Sequence, residues 1–160
     1  YTDSCLGVFV DKMKKNAEWE NMLIICVPDH TVSSYPRDAD RTDRRRNHIP
    51  LLMLGGAVKE PKRIEALCNQ SDLAATLLAQ MQLPTDEYKF SRNILSHAYR
   101  YPFAYHTFNN GVEFIDSTGF SIFDLNAGAI LKEEPADSAH SRLKRAKAIL
   151  QSTYNDYKNR

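Results

Sequence analysis

Residues 21–31 read Asn21-Met22-Leu23-Ile24-Ile25-Cys26-Val27-Pro28-Asp29-His30-Thr31, and the way this apolar run ends decides the fold. Met22 to Val27 are apolar without alternation, the pattern of a strand covered on both faces, as in a parallel sheet. The run then stops on an adjacent carboxylate and imidazole. At the carboxyl end of a parallel strand, successive side chains emerge where ligands bind in open α/β sheets. A carboxylate oxygen beside an imidazole nitrogen suits zinc or manganese, with affinity set by whatever further ligands join them. The dipeptide alone also admits a capping aspartate followed by a surface histidine.

Working outward, Leu6, Phe9, Val10 and Met13 follow the i, i+3, i+4, i+7 stripe of an amphipathic helix that Thr2 or Asp3 can cap. Residues 31–47 show no periodicity and are rich in Ser, Arg and Asp. So long a stretch without regular structure is either functional or disordered. It carries Arg44-Arg45-Arg46, which can hold phosphate or sulfate through guanidinium forks or form a solvated charge run. His48 follows, directly before a second buried-type strand at residues 49–54 that ends in Gly55-Gly56. It is a candidate to bind an anionic substrate group, or simply the end of the loop. Ser71 then caps a helix with Leu73, Leu77 and Met81 on one face and Ala74 and Leu78 widening it, closed by Pro84. Helix, strand, loop, strand, helix is an α/β layer pattern.

After Pro102 the texture changes. Residues 103–108, 112–115 and 120–125 are short strands separated by Asn109-Asn110-Gly111 and Ser117-Thr118-Gly119, which predicts hairpins and a small antiparallel meander. Pro135 precedes a terminal helix whose Ala139, Leu143, Ala146, Leu150, Tyr154 and Tyr157 form a stripe that needs a surface to cover. The predicted fold is therefore α/β: a mainly parallel sheet with helices over residues 1–100, then antiparallel strands and a terminal helix over 101–160, packed on the same domain.

Composition narrows the function. The 160-residue chain is long enough for one compact core. Its net charge of +1 lacks the electrostatic footprint of nucleic-acid binding. No stretch approaches the roughly 18 apolar residues of a membrane span. Cys5, Cys26 and Cys68 form no CxxC pair, and Cys5 and Cys26 read as small buried hydrophobes.

The order "YTDSCLGVFVDKM", "NMLIICVPDHT", "NHIPLLMLGG", "QSDLAATLLAQM" and then "FSRNILS" resembles the last third of the alkaline-phosphatase/sulfatase superfamily. The branch it looks most like is the lipoteichoic-acid-synthase-type phosphoglycerol transferases and related membrane sulfatases. The resemblance implies an enzyme that cleaves or transfers cell-envelope phosphate or sulfate esters, membrane-anchored with its catalytic part periplasmic or extracellular. A threonine or formylglycine nucleophile attacks phosphorus or sulfur while a divalent metal, zinc or manganese, neutralises the ester. Carried over by motif, Asp29 and His30 are metal ligands and His48 contacts the anionic group. The sequence departs from the pattern at Thr31, where the family usually has glycine. The nucleophile and remaining acidic ligand are expected upstream of Tyr1, so the chain alone supplies half a metal site and is expected to be inactive without the missing part. Its truncated sheet edge predicts self-association by strand pairing. Thr31 and the alternating charges Arg37-Asp38, Asp40-Arg41 and Asp43-Arg44 suit another reading, a non-catalytic structural or binding module with a vestigial Asp-His.

Overall fold

A computed structural model describes residues 1–32, 37–40 and 42–160; Arg41 and its pairing with Asp40 lie outside the described residues. The chain forms two units, Tyr1–Ile64 and Glu65–Arg160. Within the second unit, Asn69 and Arg92 are bonded to the backbone of Tyr105 and Phe103, which ties the segment before residue 100 to the strands that follow.

In the first unit, helix α1 covers Thr2–Met13, as its stripe predicts, and none of its residues is buried. Its N-cap is Tyr1 rather than Thr2 or Asp3. Cys5 on this helix is exposed, whereas the sequence suggested a buried thiol; Cys26 is half-buried. Strands β1 (Ile24–Cys26) and β2 (Leu52–Leu54) are shorter than the apolar runs that contain them. They pair antiparallel, with Ile24 opposite Leu54 and Cys26 opposite Leu52.

The mainly parallel sheet is thus corrected. An unbroken apolar run reports burial, not strand direction. A parallel pair needs a crossover, usually a helix. Between β1 and β2 the described residues hold only one short 3₁₀ turn, Arg44–Asn47. At the end of β2 the chain passes so near β1 that a Cβ on Gly55 would lie 2.2 Å from the Met22 carbonyl oxygen, with φ at +123°. Only glycine fits there.

The second unit opens with helix α2 (Asp72–Gln80), followed by a meander of β3 (Phe103–Phe108), β4 (Gly111–Asp116), β5 (Gly119–Asp124) and β6 (Ala129–Glu134) in sequential order. Helix α3 (Ser141–Lys158) lies on one face of this sheet. The alternation places Val112, Phe114 and Phe123 on that face, where they meet Ala146, Leu143, Ile149 and Leu150. The helical stripe outruns the sheet, leaving Tyr154 and Tyr157 exposed. Mixed α/β architecture with small antiparallel sheets and a C-terminal helix is therefore the observed fold. No helix among the described residues is long and apolar enough to cross a membrane.

Four carboxylates of this unit are held below the ordinary range, Asp156 among them through the Arg160 guanidinium. Burial alone would raise Asp116, but bonds from the Thr118 hydroxyl, the Tyr101 hydroxyl and the Thr118 backbone N–H bring it down. Glu133 is lowered by the Asp137 backbone N–H and the Ser121 hydroxyl, and Asp137 by the Arg142 backbone N–H. A carboxylate depressed in the fold is protonated first in the unfolded chain. Its stabilisation is complete above the ordinary range, about pH 4, and fades as pH falls through the folded value. Urea midpoints should agree at about pH 7 and 5 and drop at about pH 3. Equal midpoints at the two ends would contradict this account.

Candidate functional site

Asp29 and His30 leave β1 after Val27-Pro28 and are both exposed. The Asp29 carboxylate Oδ1 accepts the His30 backbone N–H at 2.9 Å, a contact between neighbours rather than a helix cap. His30 Nδ1 lies 2.7 Å from the Thr31 carbonyl oxygen. A carbonyl only accepts, so this hydrogen bond places a proton on Nδ1. The other ring nitrogen, Nε2, stands 3.4 Å from Asp29 Oδ2.

The spacing can be tested against a metal. With zinc–nitrogen distances of about 2.0–2.1 Å and zinc–oxygen of about 2.0–2.2 Å, two donors of one tetrahedral ion lie about 3.3–3.5 Å apart. The Asp29–His30 pair fits. A ligating histidine commonly donates its other ring N–H to a carbonyl, and Thr31 supplies that acceptor. The pair stands without further donors of this kind: no group of three or more His, Cys, Asp or Glu able to hold an ion occurs among the described residues.

The loop after this pair has its own frame. Asp43 caps the 3₁₀ turn by accepting from the Arg45 backbone N–H at 2.9 Å. The same carboxylate takes the Arg45 guanidinium at 2.6–3.1 Å, and Asp38 lies 3.3 Å from Arg45 Nη2. These acids raise the Arg45 pKa further. Arg46 Nη1 donates to the Ala39 carbonyl at 2.9 Å. Of the arginine trio, Arg45 and Arg46 therefore serve the loop, and Arg44 is exposed.

His48 follows the turn, its N–H bonded to the Arg45 carbonyl, and its side chain is exposed. It stands four residues ahead of β2 rather than at the strand's entrance, because pairing begins only at Leu52. The residue that sequence reasoning missed is Thr31, whose hydroxyl donates to the Arg46 carbonyl and ties the Asp-His segment to the turn before His48. The one signal for it was its departure from the expected glycine.

Both the fold and the sequence find matches among known proteins. A crystal structure of a protein in the alkaline phosphatase superfamily from Vibrio parahaemolyticus matches with a TM-score of 0.78 at 22% identity, and the match covers 99% of this chain and 40% of that one. This likeness shows an alkaline-phosphatase-type fold, of which the chain spans about 40% by length. The sequence profile of the sulfatase family matches residues 1–83, more than half of the chain, and the protein belongs to that family. No curated protein matches the chain.

Proposed function

We propose that the chain supplies part of the metal centre of an enzyme acting on cell-envelope phosphate or sulfate esters, as a phosphoglycerol or phosphoethanolamine transferase or a sulfatase. The observation that carries this reading is the 3.4 Å separation of His30 Nε2 and Asp29 Oδ2 at the end of β1, with Nδ1 turned to a carbonyl. Membership of the sulfatase family supports the ester class. The motif resemblance favours the phosphoglycerol-transferase branch and a membrane-anchored enzyme facing outward. A divalent ion held there, zinc or manganese, would neutralise the ester's anionic oxygens and stabilise charge on the transferring group. Asp29 contributes an anionic oxygen and His30 a neutral nitrogen. His48, with a ring N–H to donate, is the contact for the ester's oxygens. The nucleophile and further ligands come from outside the described residues, so the chain alone is inactive.

Calorimetric titration with zinc and with manganese tests the reading on the chain and on its Asp29→Ala/His30→Ala variant. Two ligands should bind weakly, with a Kd of about 0.1 mM or weaker, and the variant should not bind. The small number of donors also suits a module with a vestigial Asp-His. Indistinguishable titrations of the two proteins would establish that alternative.

A further inference from the structure

We infer that Thr31 is a positioning residue for the half-site: its two oxygens set which nitrogen His30 presents and fix the Asp-His segment to the turn that carries His48. This rests on the metal reading above and goes beyond it, because it assigns a role at the position where the sequence departs from glycine.

The Thr31 carbonyl lies 2.7 Å from His30 Nδ1, which leaves Nε2 to face Asp29. An exposed histidine with no such restraint exchanges between tautomers, and a carbonyl beside Nδ1 fixes the choice only if the carbonyl itself is held. The Thr31 side chain holds it. Its hydroxyl donates across fifteen residues to the Arg46 carbonyl, in a half-buried setting where water competes less. The acceptor is itself restrained on both sides. The Arg46 N–H bonds the Asp43 carbonyl at 3.0 Å, and its guanidinium bonds the Ala39 carbonyl. His48 lies two residues further, its N–H on the Arg45 carbonyl. A continuous path of hydrogen bonds thus runs from the His30 ring through Thr31 to the backbone just before His48.

Glycine at position 31 would keep the carbonyl and lose the tie. The hydrogen bond that joins the segment of the proposed ligands to the turn before the proposed anion contact would then be gone. Threonine joins them, so the half-site is pre-organised before any ion arrives, and less ordering accompanies binding.

The test uses Thr31→Val, which keeps shape and loses the hydroxyl, Thr31→Gly, and Thr31→Ser, which keeps the hydroxyl. The first readout needs no metal: long-range nitrogen–proton NMR of the histidine rings at about pH 8, where imidazoles are neutral. The chain and Thr31→Ser should show His30 with its proton on Nδ1, while Thr31→Val and Thr31→Gly shift population toward the Nε2 proton. The second readout is zinc affinity, which should fall about tenfold in the valine and glycine variants and recover in the serine variant. Thermal melts distinguish general loosening, which would lower Tm without moving the tautomer. An unchanged His30 tautomer in Thr31→Val, or a serine variant that resembles valine, would overturn the assignment. Should the chain bind no zinc while the tautomer shifts as described, the metal reading fails and the tie survives.

Discussion

Arg142→Ala is expected to remove about 3–5 kcal/mol from the stability of the second unit, the cost of breaking a buried charged network from one side. Arg142 is 2% exposed and sits in the first turn of α3. Its Nε donates to Ser121 Oγ at 3.0 Å, and Nη1 to the Thr118 carbonyl and hydroxyl, both at 3.1 Å. Nη2 donates to the Pro135 carbonyl and lies 3.8 Å from the Glu133 carboxylate. One guanidinium thus joins the helix to strand β5, to the β4–β5 turn and to the end of β6.

Truncation leaves the carbonyls without donors and the Glu133 charge without its cation, each a cost of about 1–3 kcal/mol before relaxation or entry of water. Lysine should recover less than half of the loss, since a single ammonium cannot reproduce a planar fork of donors. Urea unfolding followed by far-UV circular dichroism measures both variants. A loss below about 1 kcal/mol for alanine would mean that water replaces the network, and the account would fail.

That network was not legible in the sequence. Arg142 lies among Lys144, Arg145 and Lys147, and nothing in their order marks one as buried. Register decides it: Ser121 pairs with Glu133 across β5 and β6 and creates the polar pocket that Arg142 enters. Strand β6 escaped for a related reason. Ala129-Ile130-Leu131-Lys132-Glu133-Glu134 has helix-forming composition, and pairing with β5 overrides it. The signal that could have found it is a third glycine turn, where Asp124 accepts from Asn126 and Ala127 ahead of Gly128 at φ +65°.

By contrast, β3 runs over residues 103–108 as the turn after it predicts, and Asn109-Asn110 brings Phe108 opposite Gly111. Hairpins are local, so their instructions are local. The direction of β1 against β2 depends on a twenty-five-residue connection, Val27 to Leu51, whose path composition does not specify. The Asp-His pair was legible because it sits where an apolar run stops. Its tie through Thr31 joins residues fifteen apart and leaves no periodic trace.

The second large effect concerns the motifs "QSDLAAT" and "FSRNI", which carry much of the family resemblance yet form a buried clasp. Asp72 is 1% exposed. Its carboxylate accepts the Asn69 N–H at 2.8 Å and the Arg92 N–H at 2.9 Å, together with Arg92 Nε at 2.9 Å and Nη2 at 2.5 Å. Arg92 also donates to the Phe103 carbonyl at 2.9 Å and lies 3.7 Å above the Phe103 ring. Its Nη1 finds no hydrogen-bond acceptor among the described residues, and the aromatic face beneath the guanidinium takes that place. Around this pair, Thr76 Oγ1 accepts the Ile94 N–H at 3.1 Å, and Ser91 Oγ accepts the Ala75 N–H at 2.8 Å.

Asp72→Ala should therefore cost about 3–5 kcal/mol, because it strands a half-buried guanidinium and two backbone donors together. Arg92→Ala should cost a similar amount. The double variant should cost less than the sum by at least about 2 kcal/mol, since neither charge is left behind. Additive losses would show that the two residues act separately, and that the motifs owe their spacing to something other than this clasp.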